Sequence, residues 1–264
     1  MKNIQATLIQ TSLFWQEPER NMAHFSRLIK SMNSTSRLIV LPEMFLTGFV
    51  VQPQQHAQAM DSAYIVALQQ LSKEKECVIC GSLIIREGEN YFNRFLWIRP
   101  DGGIEKYDKK HLFTFGGEDK NFVPGKENVI FTLEGIRFKP MICYDLRFPV
   151  WARNRYAQET GYAYDVLLYT ANWPEPRRAV WKTLLKARAI ENQCIVIGVN
   201  RIGNDGEGLH YAGDSRVIDA RGKKIASAAR GKKATISFML DCNALHTFRE
   251  KFPIGPDWDA FQTL

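Results

Sequence analysis

The sequence predicts one α/β domain built on a mixed sheet or on two stacked sheets. Apolar runs rich in β-branched residues alternate early in the chain with segments of helical character, while strand-like runs follow one another in pairs in mid-chain and late. No linker, low-complexity tract or internal repeat interrupts the 264 residues, a length that can bury a sizeable core, so a single domain over residues 1–264 is expected.

In chain order, strands are expected at Ile4–Ile9, Leu38–Leu41, Val78–Ile85, Phe92–Ile98, Val129–Leu133, Ile136–Ile142, Val166–Thr170, Ile195–Val199, Gly213–Ile218 and Ala234–Leu240. Helices are expected at Pro18–Ser31, Ala63–Lys75, Val150–Thr160 and Arg178–Asn192. In the last of these, Val180, Leu184, Ala187 and Ile190 recur at helical spacing. Turns fall at Asp101-Gly102-Gly103, Gly203–Gly208 and Arg221-Gly222. From about His246 no period is visible, and this stretch reads as an arm that packs on a partner subunit.

Hydrophobic residues make up 45% and charged residues 24%, which is ordinary for a globular chain and argues against extensive disorder. The net charge of +7 is scattered over pairs such as Lys109-Lys110, Arg177-Arg178 and Lys232-Lys233. Nucleic-acid binding usually needs a concentrated patch, so no nucleic-acid partner is expected. A basic chain instead favours anionic small molecules. No run reaches the ~20 apolar residues of a membrane span, and the N-terminal segment is too polar for a signal peptide, so no membrane partner is expected. Five cysteines cannot all pair within one chain, which fits a reduced, cytoplasmic location.

Three segments carry chemistry. In Met141-Ile142-Cys143-Tyr144-Asp145-Leu146-Arg147-Phe148, an apolar strand ends on a cysteine and enters a polar turn. A thiol there projects from a rigid support, beside backbone N–H groups able to hold an oxyanion. In Leu38-Ile39-Val40-Leu41-Pro42-Glu43, a carboxylate closes an apolar strand near the core, where burial suits it to proton transfer. In Lys106-Tyr107-Asp108-Lys109-Lys110-His111-Leu112-Phe113, a lysine can face developing negative charge. Neighbours on extended chain point to opposite faces, so Lys109 and Lys110 are not expected to share one pocket. Each segment alone also has a plain reading: a small core hydrophobe, a surface carboxylate and a solvated basic stretch.

Taken together and in this order, the segments resemble the nitrilase, or carbon–nitrogen hydrolase, superfamily. The resemblance extends over nearly the whole chain, through Gly81-Ser82, Phe122-Val123-Pro124-Gly125, Ala171-Asn172-Trp173-Pro174, Ala187–Asn192 and Gly213-Asp214-Ser215. It implies a four-layer α-β-β-α sandwich that pairs into a homodimer. It also implies that Glu43 is the general base, Lys109 the oxyanion-stabilising lysine and Cys143 the nucleophile. Glu118, in the polar turn Gly116-Gly117-Glu118-Asp119, is implied as a fourth catalytic member with little packing to lose. Tyr144 would supply an oxyanion N–H, and Asn172, Trp173 and Arg147 would meet the substrate. The chemistry requires no metal and no organic cofactor.

Cys143-Tyr144-Asp145 resembles the amidase branches, and Ala171-Asn172-Trp173-Pro174 is similar to ω-amidases, which hydrolyse the terminal amide of 2-oxoglutaramate or 2-oxosuccinamate. The competing readings are a sister branch acting on deaminated glutathione or an N-carbamoyl compound, and a non-catalytic binding protein on the same scaffold. Arg147, Arg177 and Arg178 are candidates to pair a substrate carboxylate. Cys77-Val78-Ile79-Cys80 has CxxC spacing but reads as buried strand, and Cys194 and Cys242 read as structural. His111 is expected to hold the lysine loop by hydrogen bonding. Phe113, Phe115 and Trp181 each read equally as pocket wall or core, while Trp173 lies in a motif of the resemblance.

Overall fold

A computed structural model describes residues 3–33 and 35–260 of the chain. Its strands form two six-stranded sheets. The first runs, in spatial order, Ala234–Leu240, Ile4–Gln10, Leu38–Val40, Val78–Glu87, Asn90–Ile98, Ile104–Asp108. The second runs Lys224–Ser227, Arg216–Ile218, Ile195–Asn200, Val166–Ala171, Ile136–Ile142, Phe131–Leu133. Three consecutive strands at the centre of each sheet are parallel, and the flanking strands pair antiparallel.

The near-continuous apolar runs follow from burial on both faces, because side chains alternate along a strand. Leu8, Val40, Cys80, Phe95 and Trp97 of the first sheet meet Phe138, Ile142, Leu168, Ile197 and Val217 of the second. Their chain neighbours Ile9, Ile39, Ile79, Leu96 and Ile98 face outward, where Phe25 and Ile29 of helix Pro18–Lys30 and Ile65 and Leu68 of helix Ala63–Lys75 cover them. On the far side, Met141, Leu167 and Val196 lie under Trp181, Leu185 and Ala189 of helix Arg178–Glu191. The architecture is the expected four-layer α-β-β-α sandwich.

Several elements differ from the sequence reading. The helix expected over Val150–Thr160 ends at Ala152, and Tyr156–Ala157 pairs with Gly161–Tyr162 as a short hairpin. Asn154 is the physical reason. Its buried amide donates to the carbonyls of Tyr164 and Asn192 and accepts from the N–H groups of Arg155 and Tyr164, fixing a non-helical bend. The strand expected from Gly213 begins at Arg216, since Gly213 and Asp214 both take positive φ, at 75° and 60°. Two further strands, Ile104–Asp108 and Lys224–Ser227, lie outside the runs expected from sequence.

The periodless C-terminal stretch contains a helix, Cys242–Lys251, capped by Asp241 accepting from the Ala244 N–H at 2.9 Å. It packs on its own chain through Leu245, and Arg249 reaches Asp165 at 2.7 Å. The last residues of the expected arm, 261–264, lie outside the described residues. Cys77 and Cys80 are buried in different layers, on the helix side and between the sheets respectively. Cys194 and Cys242 are also enclosed.

Candidate active site

Four segments leave strand ends toward one region. Glu43 follows Leu38–Val40, Lys109 follows Ile104–Asp108, Cys143 follows Ile136–Ile142 and Asn172 follows Val166–Ala171. The crevice beyond the carboxyl ends of parallel strands is the usual ligand position in α/β sheets, and three of these four strands belong to the parallel centres.

The turn that carries Glu43 is held from the next strand. Ser82 Oγ accepts the Met44 N–H at 2.9 Å, and Ser82 O accepts the Phe45 N–H at 3.2 Å. Gly81 permits this approach, since a Cβ there would lie 2.9 Å from Leu41 Cβ and 3.3 Å from Leu41 O. Lys109 is aligned by its neighbours: Asp108 receives the Arg94 guanidinium at 2.6 and 2.9 Å, and Lys109 O accepts the Gly125 N–H at 2.9 Å. Gly125 lies so close that a Cβ there would fall 2.0 Å from Asp108 O. Cys143 opens the 3₁₀ turn Cys143–Arg147 with φ of 42°, a left-handed conformation that a non-glycine residue rarely takes.

Asp145 secures that turn to the lysine loop. It accepts the Ile142 N–H at 3.0 Å, the Tyr107 hydroxyl at 2.8 Å and the His111 N–H at 2.9 Å, and it meets His111 Nδ1 at 2.8 Å. His111 also stacks on Phe148 with ring centres 3.8 Å apart. The holding role expected for His111 is what the contacts describe.

Glu43, Lys109 and Glu118 are all fully enclosed. Lys109 Nζ lies 3.1 Å from Glu43 Oε1 and 2.8 Å from Glu118 Oε2. Lys110 points away, its ammonium over the Trp151 ring at 5.0 Å. Glu43 Oε2 accepts the Asn172 N–H at 2.7 Å, and Glu118 Oε2 accepts the Phe113 N–H at 2.7 Å. Cys143 Sγ faces the Glu43 carboxylate and lies 3.9 Å from Asn172 O.

Glu118 corrects its sequence reading. The turn around it looks polar and open, but the carboxyl is buried with three protein donors, Lys109, Asn93 and the Phe113 N–H. Asn93 joins the site from a strand that carries none of the motifs above. Its Nδ2 donates to Glu43 Oε1 at 2.8 Å and to Glu118 Oε1 at 3.0 Å. The sequence signal is a polar pair, Asn93-Arg94, inside the otherwise apolar run Phe92 to Ile98.

The electrostatics follow from enclosure. Burial opposes the Lys109 charge, but the Glu118 and Glu43 carboxylates outweigh it and raise its pKa. Burial raises the Glu118 pKa against the lowering effect of Lys109, with Glu43 adding to the rise. Burial and then the Glu43 charge push the Cys143 thiol well above the ordinary range. Both effects favour the neutral thiol over the thiolate.

Above Cys143 opens a cavity of about 230 Å³. Phe113, Phe115 and Trp173 line it, while Trp181 packs in the core. Tyr144 presents its main chain at the start of the 3₁₀ turn, and its ring packs on Phe113 and Phe148. Asn172 is committed to Glu43 through both its backbone N–H and its side-chain amide, so its first task is to hold the carboxylate. Arg147 and Arg177 line the cavity, over Trp173 at 5.1 Å and over Phe113 at 5.5 Å, and neither has an acidic partner among the described residues. Arg178 is removed from the candidates, since Asp214 takes it at 2.8 and 3.1 Å.

A partly buried thiol beside an enclosed carboxylate and ammonium, at the strand ends of an α-β-β-α sandwich, has the make-up of a candidate thiol-hydrolase site. The carbon–nitrogen hydrolase family profile matches residues 5–250, and the chain belongs to that family. It is 42% identical over 264 residues to omega-amidase YafV of Yersinia enterocolitica, with all of both chains covered. It is 31% identical to the 2-oxoglutaramate amidase of Bacillus subtilis, covering 94% of this chain and 95% of that one. Among solved structures, the CN-hydrolase superfamily protein XC1258 of Xanthomonas campestris superposes with a TM-score of 0.97 at 39% identity over 100% of both chains; it carries an arsenic adduct in its active site. The chain is a hydrolase of carbon–nitrogen bonds in amides.

Proposed function

We propose that this enzyme is an ω-amidase that releases ammonia from the terminal amide of 2-oxoglutaramate or 2-oxosuccinamate, with Glu43, Lys109, Cys143 and Glu118 as its catalytic residues. One observation carries the reading: two arginines without acidic partners among the described residues stand in the cavity above a partly buried thiol and an enclosed carboxylate and ammonium. A short substrate bearing a carboxylate at the end remote from its amide suits that arrangement. Arg147 or Arg177 pairs the carboxylate, and the amide reaches Cys143. The cavity of about 230 Å³ is smaller than the ~300–1,000 Å³ typical of drug-sized ligands, which favours a short chain over a tripeptide-sized one. The relatives named omega-amidase and 2-oxoglutaramate amidase support the same choice.

The mechanism follows from the resting charges. Because the thiol is neutral, its proton passes to Glu43 as the sulfur attacks the amide carbon. The oxyanion forms between Lys109 Nζ and the Tyr144 N–H, which lies in the first turn of a helical segment and so lacks an intrahelical partner. Collapse breaks the C–N bond, and Glu43 returns the proton to the leaving ammonia. Water then gives a proton to a carboxylate of the pair and attacks the thioester. The acid departs and the sulfur regains its proton. The enclosed lysine keeps its charge throughout, so the oxyanion meets a preformed cation. We further propose a cytoplasmic homodimer; five free thiols suit a reducing compartment, and the pairing rests on the family resemblance.

The test is ammonia release from 2-oxoglutaramate, 2-oxosuccinamate, glutamine, a neutral aliphatic amide, a simple nitrile and deaminated glutathione. High kcat/KM for the first two, with neutral amides rejected because the arginines stay unpaired, is expected. Activity is expected to vanish in Cys143→Ala. Preference for deaminated glutathione moves the enzyme to a sister branch.

A further inference from the structure

Asn93 touches three of the four proposed catalytic residues. Its Nδ2 reaches Glu43 Oε1 at 2.8 Å and Glu118 Oε1 at 3.0 Å. Its backbone carbonyl accepts the Lys109 backbone N–H at 3.0 Å. Lys109 Nζ reaches the same two carboxylate oxygens, each at 3.1 Å. The two acids are thus clamped between one ammonium and one neutral amide.

We propose that Asn93 is a positioning residue that fixes the separation of the Glu43 and Glu118 carboxylates and keeps them available as proton acceptors. The inference rests on the amidase reading above and concerns a residue that acts only through others.

The choice of residue type is informative. A second cation at this position would neutralise the pair and hold both protons away from it too strongly. An apolar residue would leave Lys109 as the one side-chain donor between the two acids among the described residues, beside a single backbone N–H to each. An amide donates a hydrogen to each without adding charge. Its orientation is also determined, because a flipped amide would set Oδ1 against two carboxylate oxygens. In the observed orientation Asn93 Oδ1 is buried without a hydrogen-bond partner among the described residues. A group that leaves its own acceptor unmet so that its donors can serve the acids is acting for the site rather than for the strand. The titratable and charged groups that face the pair are Lys109 and Cys143, with Tyr211 beyond the sulfur. None of these supplies the donors that Asn93 does.

The experiment compares Asn93→Ala, Asn93→Ser and the nearly isosteric Asn93→Asp in the full chain. Ammonia release from 2-oxoglutaramate by the unmodified enzyme, and its loss in Cys143→Ala, tests the amidase reading separately. Misplacing a catalytic group can cost about 10²-fold, and Asn93→Ala is expected to lose about that in kcat while KM changes by less. Its acid limb in kcat/KM is expected to move up by about one pH unit, since the anionic carboxylates lose donors. Asn93→Asp, which adds a third carboxylate, should move the limb further in the same direction. Asn93→Ser keeps one donor and should recover part of the rate. Folded variants with kcat within a small factor of the parent, or with lower kcat and an unmoved acid limb, overturn the proposal. Should Asn93→Ala fail to fold, Asn93→Asp preserves the shape and carries the same pH readout.

Discussion

Lys109 and Lys139 are both almost completely enclosed, the first just past the end of strand Ile104–Asp108 and the second within strand Ile136–Ile142. Lys109 stands at the cavity floor between two carboxylates. Lys139 lies on the strand leading to Cys143, donates to the Trp151 carbonyl at 2.7 Å and packs against the Tyr164 ring. Burial disfavours the charge of both. At Lys109 the Glu118 and Glu43 charges reverse that effect and the pKa rises. At Lys139 burial, with Arg155 adding repulsion, lowers it to about 7. A carbonyl can satisfy a hydrogen of an ammonium but cannot balance its charge. The difference teaches that enclosure alone yields a lysine close to neutral, and that a reliable oxyanion partner at neutral pH needs carboxylates built around it.

The sharpest way to break the comparison is to remove the paired lysine. Lys109→Ala is expected to lower kcat by about 10²–10³-fold or more, as loss of an oxyanion donor does. It should also destabilise the fold, because two buried acids lose their cation. Lys110→Ala, whose ammonium lies over Trp151 outside the cluster, should leave kcat nearly unchanged. Equal losses in the two variants, measured by ammonia release, would refute this register.

A middle-sized effect is expected at the sulfur. The Glu43 charge contributes to the raised Cys143 pKa. Glu43→Gln removes that charge, so the pH midpoint for alkylation of Cys143 by iodoacetamide should move down while turnover is lost. An unmoved midpoint would separate Glu43 from the thiol.

The smallest effect belongs to the unpaired lysine. Between pH 7 and the ~10.4 of an ordinary lysine, the unfolded chain holds a proton that the folded chain has released, so stability rises with pH over that window. Lys139→Met abolishes this dependence. Its melting temperature relative to the parent should be most favourable at pH 7 and below and should decline toward pH 10, with kcat unchanged. A difference that stays flat with pH would show that Lys139 is charged in the folded protein.

The segments that reach the site were legible because each marks a change of pattern. Glu43 and Cys143 stand where an apolar run gives way to polar residues, and strand alternation separated Lys109 from Lys110. Glu118 and Asn93 were harder for opposite reasons. The turn around Glu118 has the composition of exposed chain, yet it folds inward onto donors from distant segments. Asn93 sits in a largely apolar strand beside Arg94, and nothing in that local pattern tells which of the two polar residues meets the acids. The expected helix over Val150–Thr160 failed because Asn154 binds the carbonyls of Tyr164 and Asn192, partners that no local window contains.

The sequence by itself determined the doubly buried strands, the order of the polar strand ends and the alternation that sends one lysine inward, since all of these depend on neighbours along the chain. Only the tertiary structure decided that Glu118 is enclosed, that Asn93 joins two acids, that Arg178 is lost to Asp214 while Arg147 and Arg177 stay available, and that Lys109 rather than Lys139 keeps a secure charge. Each of those outcomes depends on which groups from separate elements end up within hydrogen-bond reach of one another, and the energy of a buried charge is set by those neighbours.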